Sequence, residues 1–175
     1  MGHSMSEPHG VDAIRRAALD ARRTEIAARH LLPRAERPPS TARGVHHVAL
    51  ISSDVERTVE FYAGLLGFPL IEIFENRDYA GSTHFFFDIG HGNTLAFFDL
   101  PGLDLGPYVE VLGGHHHLAI SIERDAWQQV KDRFEATGID YAHVDGSSLY
   151  FRGPDGERLE LISDPLGEMY GKPVG

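Results

Sequence analysis

Apolar positions recur along this chain with two different periods, and the change of period marks its elements. Over residues 10–32, Val11, Ile14, Ala18, Ala21, Ile26 and Leu31 alternate with Arg15, Arg16, Arg22, Arg23 and Glu25 at roughly helical spacing. That predicts an N-terminal helix, ended by Pro33 and the linker-like Arg37-Pro38-Pro39-Ser40. It reads as a cap on the body or part of a homodimer interface. From Gly44 a short apolar run over 45–51 predicts a strand. Ser53-Asp54-Val55-Glu56 then fits a capping box, with the Ser53 hydroxyl as cap. Val59, Tyr62, Ala63 and Leu66 form the apolar face of that helix, and Gly67 stops it. Strands near 68–75, 82–89 and 93–99 follow, with glycines at 90 and 92 in a turn.

A loop with Pro101, Gly102, Gly106 and Pro107 leads to Gly113-Gly114, and then the order recurs. A strand over 116–122 precedes a helix start at Asp125 and Gln128. The apolar stripe of that helix is Trp127, Val130 and Phe134, and Gly138 closes it. Strands near 139–144, 147–152 and 157–163 complete the second pass, the last two joined by Gly153-Pro154-Asp155-Gly156. The prediction is an α+β fold of two β-α-β-β-β modules, about 44–100 and 114–164. Residues 1–43 form a helix and linker ahead of this 44–164 domain, and residues 165–175 form a tail.

Composition narrows the chemistry. The chain has 175 residues, 42% of them apolar, enough for one packed core. A net charge of −10 leaves no footprint for nucleic acid or an anionic membrane surface. The apolar runs are far short of a membrane span and the start lacks a secretory pattern, so a cytoplasmic protein is expected. There is no cysteine, which excludes disulfides, thiolate nucleophiles and cysteine-ligated metals. Eleven histidines remain, and any bound metal must be held by imidazole and carboxylate. His3 and His9, close to the start, carry no functional weight.

Two of these histidines hold matching places. His47 and His117 are 70 residues apart, each in the first strand of its half. Glu160 lies in Arg158-Leu159-Glu160-Leu161-Ile162, an apolar strand in which a charge needs a partner or a ligand. Two imidazoles and one carboxylate suit a divalent metal with open positions for substrate. The three are dispersed, so spacing alone does not single them out. His46, His115 and His116 adjoin them and point to the other face if the strands are regular.

The stretches His47-Val48-Ala49-Leu50, Phe61-Tyr62, Leu66-Gly67-Phe68, His117-Leu118-Ala119 and Leu149 through Leu161 resemble the vicinal oxygen chelate superfamily. That superfamily includes glyoxalases, fosfomycin-resistance transferases, bleomycin-resistance proteins and extradiol dioxygenases. The resemblance covers residues 44–164. It implies paired modules that form a curled mixed sheet around a metal-containing cleft, with His47, His117 and Glu160 as ligands. Fe(II) is the first expectation for the metal, and the same ligands serve Mn(II), Zn(II) or Ni(II). Some members carry a fourth ligand in the last strand of the first module. That place here is Ala96, which cannot ligate.

On this resemblance the expected reaction is extradiol cleavage of a catechol-like ring with molecular oxygen. Tyr150 keeps the ten-residue separation from Glu160 that those dioxygenases show. The place of their catalytic histidine reads Asn93, with His84 and His91 as displaced candidates. His143 is the candidate for a second acid–base histidine, although it stands seven rather than nine residues before Tyr150. The alternatives are a metal-dependent isomerase or lyase of glyoxalase type, a resistance transferase, and a drug-binding protein without turnover. The transferase's phosphonate-binding places read Ala49, Asp140, Val144 and Met169, which argues against a phosphonate. Phe85–Phe87, Phe97 and Phe98 offer aromatic surface for a small aromatic or oxygen-chelating substrate.

Overall fold

A computed structural model describes residues 12–42, 44–169 and 171–173. The chain divides into two compact units at the boundary between residues 43 and 44. In the first unit, α1 (Ala13–His30) is capped by Asp12, whose carboxylate accepts the Arg15 amide proton at 2.8 Å. None of its residues is buried. The expected helix began at residue 10, and residues 10 and 11 lie outside the described part.

The second unit contains the repeat. In its first half come β1 (His47–Ser52), α2 (Val55–Val59, continuing in wider π-type turns over Glu60–Leu66), β2 (Leu70–Glu75), β3 (Thr83–Asp88) and β4 (Thr94–Asp99). In its second come β5 (Leu118–Ser121), α3 (Arg124–Thr137), β6 (Tyr141–Val144), β7 (Ser148–Arg152) and β8 (Arg158–Ile162). A two-residue pair, β9 (Glu168–Met169) with β10 (Lys172–Pro173), lies in the stretch read as a tail. Gly67 and Gly138 end their helices in the left-handed conformation, at φ 82° and 73°.

Each half forms its own sheet, in the order β1-β4-β3-β2 and β5-β8-β7-β6. β1 runs parallel to β4 and β5 parallel to β8, and the other pairings are antiparallel. This corrects the expectation of a curled mixed sheet around a cleft. Two open four-stranded sheets are present, neither closed nor strongly curled. Among the described strands hydrogen bonding stops at β1 and β5, so no ladder carries curvature from one module into the other.

One core serves both modules. Tyr62, Phe85, Phe87, Leu95 and Phe97 of the first meet Trp127, Val130, Phe134, Leu149, Phe151 and Leu161 of the second in one buried cluster. The Tyr62 hydroxyl donates to Glu157 Oε1 at 2.7 Å, and Arg133 Nε donates to the Leu65 carbonyl at 2.7 Å. Strand alternation then turns the opposite face of each sheet away from this core. His47, Ala49 and Ile51 share that outer face of the first sheet, and Tyr150 and Glu160 share that of the second. No helix among the described residues is long and apolar enough to cross a membrane.

Candidate metal centre

Glu160 sits in β8 between β5 and β7, opposite Ala119 on one side and Tyr150 on the other. Its neighbours Leu159 and Leu161 enter the core, so the Glu160 side chain must face the other way. The residue is only 4% exposed, and a buried carboxylate is costly unless donors meet it. Ser148 Oγ donates to Oε1 at 2.6 Å, and His117 Nε2 lies 3.1 Å from Oε2. The Tyr150 ring meets the His117 ring edge to face at 5.6 Å between centroids.

His117 precedes β5 by one residue and is half-buried. His47 opens β1 on the other sheet, level with Thr94. The structure therefore brings His117 and Glu160 together but does not gather His47 with them. Among the described residues no three histidine or acidic side chains form a group that could hold a metal ion. The donor chemistry nevertheless fits a divalent metal, because an imidazole nitrogen and a carboxylate oxygen stand 3.1 Å apart with the second oxygen already tied to Ser148. A further imidazole is what the pair lacks.

The other predicted residues are scattered. His84 on β3 lies level with Phe98 and Phe74, and its ring stacks on Phe98 at 3.9 Å and against Phe86 at 4.2 Å. Its Nε2 is buried without a hydrogen-bond partner. Burial, and secondarily the charge of His47, hold its pKa below the usual histidine value, which keeps it neutral near pH 7. His143 pairs with Leu149, and its ring lies 5.2 Å from Trp127. That puts it on the helix side of the sheet, opposite to Glu160. His91 is in the turn after β3 with φ 52°, and Asn93 bonds the Gly90 carbonyl there at 3.1 Å.

The neighbouring histidines do not diverge as regular strands would require. His46 Nδ1 lies 2.9 Å from His47 Nδ1, and His116 Nδ1 lies 2.7 Å from His117 Nδ1. The reason is local: β1 begins only at His47 and β5 only at Leu118, so alternation does not govern these pairs. The helix caps also shift. Asp54, not Ser53, accepts the Arg57 amide proton at 3.0 Å, while Ser53 bonds Asp155 from the second module. α3 begins at Arg124 behind Glu123, which makes no side-chain cap, so Asp125 falls within the first turn.

Sequence reasoning passed over Ser148, Arg158 and Glu110. Ser148 shares a face with Glu160 only because of the β7–β8 register, which a linear pattern does not display. A cleft of about 740 Å³ lies between β1 and the loop from Asp99 to Tyr108, lined also by Asp155 and Glu157. It excludes all three expected ligands, although its Ala49 and Ile51 share the strand face of His47.

Comparison with known proteins agrees with this architecture. The family model described as Glyoxalase/Bleomycin resistance protein/Dioxygenase superfamily matches residues 44–161. The putative ring-cleaving dioxygenase MhqA of Bacillus subtilis (strain 168) is 27% identical over 139 residues, covering 75% of this chain and 43% of its own length. The chain thus spans less than half of that relative. The metallothiol transferase FosB of Shouchella clausii (strain KSM-K16) is 29% identical over 133 residues, covering 71% of this chain and 83% of its own. A crystal structure of a glyoxalase family protein from Enterococcus faecalis superposes with a TM-score of 0.55 at 26% identity, covering 69% of this chain and 98% of that one.

Proposed function

We propose that this chain, which belongs to the glyoxalase/bleomycin resistance protein/dioxygenase superfamily, is a divalent-metal-dependent enzyme of isomerase, lyase or transferase type acting on a small oxygen-chelating molecule. The observation that carries the reading is the convergence of His117 Nε2 and Glu160 Oε2 at 3.1 Å on the outer face of the second sheet. His117, Glu160 and His47 would hold the metal, with His47 supplied by a second copy of the chain. A second copy is argued by the separation of His47 from the pair and by apolar residues left bare: Ile51, Phe74 and Leu112 are 50%, 44% and 105% exposed. Such a metal supplies Lewis-acid polarisation of the substrate's adjacent oxygens.

The protein's own groups divide the remaining work. Ser148 ties down one oxygen of Glu160, leaving the other directed at His117. Tyr150 packs on His117 and offers a hydroxyl on the same face. Ala49, Ala96 and Phe86, level with one another, and Phe98 with His84 give the first sheet an apolar and aromatic face beside His47. This face suits an apolar or aromatic substrate body. Ala49 lies on this face where the resemblance puts the transferases' threonine, which weighs against a phosphonate.

Ring cleavage with Fe(II) and molecular oxygen is the second reading, supported by the Tyr150–His117 contact and by the identity to MhqA. It ranks lower because it needs an acid–base histidine beside Glu160. His143 faces Trp127, and Asn93 replaces the expected residue. The test is titration of the full chain with Mn(II), followed by turnover assays on diketone, thiol-addition and catechol panels with an oxygen electrode. One metal per site, lost in H117A and E160A, with turnover that consumes no oxygen, is the expected result. Oxygen uptake with a catechol would transfer the assignment to ring cleavage, and unchanged Mn(II) binding in both variants would end the metal reading.

A further inference from the structure

The cleft between β1 and the Asp99–Tyr108 loop differs in chemistry from the metal centre, and its lining includes none of His47, His117 and Glu160. At about 740 Å³ it falls in the size range of cavities that enclose a small organic molecule. Ile51, Leu103 and Leu105 line it, and each remains about half exposed, at 50%, 49% and 49%. Apolar side chains left bare inside a cavity favour an apolar occupant. The charge of the lining is of one sign. Four carboxylates belong to it, those of Asp99, Asp104, Asp155 and Glu157, while among the described residues no lysine or arginine does. His115 is the one basic side chain of the wall.

Two of the four carboxylates are engaged within the protein. Asp155 accepts from Arg57 Nη2 at 2.9 Å and from the Ser53 amide at 3.1 Å. Glu157 accepts from the Tyr62 hydroxyl at 2.7 Å and from the Asp155 amide at 2.9 Å. The other two keep their charge. Asp99 accepts the Thr83 amide proton, which brings no net charge and leaves the carboxylate further acceptor capacity. Asp104 is exposed on the loop, and no lysine or arginine among the described residues pairs with either. A further arginine touches the lining from outside it: Arg152 lies over the Tyr108 ring at 5.7 Å and donates to the Gly156 carbonyl at 2.7 Å. Carboxylates in a cleft with apolar walls attract a cation and repel an anion. A bare metal ion suits the cleft poorly, because it needs several oxygen ligands where much of this wall is hydrocarbon. No three histidine or acidic side chains among the described residues gather to hold one. We propose that the cleft binds an organic ammonium ion, its apolar body against Ile51, Leu103 and Leu105 and its charge met by Asp99 and Asp104.

The experiment is calorimetric titration of the full chain, without added metal, with octyltrimethylammonium and with octyl sulfate below their micelle-forming concentrations. The two probes share a tail and differ in the charge of the head. Expected is one ammonium ion per chain, with octyl sulfate bound at least about tenfold more weakly. D99N and D104N should each weaken the ammonium about threefold, the size of a partly exposed ion pair. Asparagine keeps an acceptor for the Thr83 amide, and Asp104 is exposed, so both variants keep the fold. L105S should weaken both probes about fivefold through lost apolar contact. D140N removes an exposed carboxylate outside the cleft and should leave the affinity within about 1.5-fold, since distant charges are screened. Octyl sulfate binding as tightly as the ammonium overturns the proposal, as does an unchanged affinity in L105S or in the D99N/D104N double variant. An equal loss in D140N also overturns it, because the attraction then comes from the net charge of −10 and not from the cleft. If no ammonium binds and D99N/D104N instead weakens self-association in sedimentation, the cleft holds a basic segment of a second copy and the proposal fails. The titration uses no metal, so loss of the metal reading leaves its outcome standing.

Discussion

The two modules repeat one plan and differ at the positions that carry chemistry. In the first, Ala49 of β1 lies level with Ala96 of β4; in the second, Ala119 of β5 lies level with Glu160 of β8. The last strand of one module thus ends its outer face in a methyl group, and that of the other in a carboxylate held by Ser148 and His117. Each module keeps a histidine at the start of its first strand and a second histidine in contact with it. Only the second adds Arg158. The difference teaches that the two outer faces are not chemically equivalent: one buries a methyl group where the other buries a carboxylate. On the proposed reading, that single carboxylate serves a metal shared by both kinds of module.

The most disruptive way to break this asymmetry is to make the first module imitate the second. Ala96 is fully buried, level with Ala49 and Phe86, so A96E forces a carboxylate among apolar side chains. It should cost about 3–5 kcal/mol by urea denaturation, the size of an uncompensated buried charge. The reverse change, E160A, should weaken Mn(II) binding by more than about 100-fold, beyond the loss typical of residues that merely support ligands. A variant that binds within about tenfold of wild type would remove Glu160 from the site.

The hairpin turns differ next. At Gly153 an added Cβ would stand 2.0 Å from Glu157 Oε1, and Glu157 is pinned by Tyr62 at 2.7 Å and the Asp155 amide at 2.9 Å. At Gly90 an added Cβ meets nothing, and only the left-handed φ of 87° opposes it. G153A should cost about 1–3 kcal/mol, and G90A about 1 kcal/mol, by thermal or chemical denaturation.

Glu157 itself gives a pH signature. Burial raises its pKa above the usual glutamate value, against the opposing bond from Tyr62. The folded state then holds the proton more tightly than the unfolded state. Its contribution is fully present below the unfolded value of about 4.3 and declines as pH rises through the raised folded value. Wild type should accordingly lose stability relative to E157Q as pH rises above about 4.3 and through the raised folded value, by less than about 1.4 kcal/mol per pH unit. Parallel stability curves for the two proteins would contradict this. Smallest is the difference between the caps. D54A should cost about 1 kcal/mol because Asp54 accepts an amide proton of α2, whereas E123A at α3 should be near neutral.

Much of this was legible in the chain. The module order follows from apolar periodicity broken by Gly67 and Gly138, and each predicted strand falls within two residues of an observed one. Ala96 was found because its strand aligns with that of Glu160, and the parallel β1–β4 and β5–β8 registers place them equivalently. Sheet closure was not legible, since it depends on whether β1 and β5 find partners, and hydrophobic patterns do not report that. Nor was the face of His143. Alternation there counts from a β6–β7 register that the sequence does not display, and it turns the ring to Trp127. The contacts of Ser148 and Arg158 escaped because their partners stand 12 and 42 residues away in the chain.

The claim that the halves of two chains complete one site is tested most directly by complementation. H47A and E160A proteins, each unable to bind Mn(II) tightly, are mixed, dissociated in mild denaturant and refolded together. If His47 of one copy joins His117 and Glu160 of another, a mixed dimer contains one intact site, and tight Mn(II) binding returns at up to about one ion per mixed dimer. If the three residues act within a single chain, or do not act together at all, the refolded mixture binds no better than either variant alone, and the account is wrong.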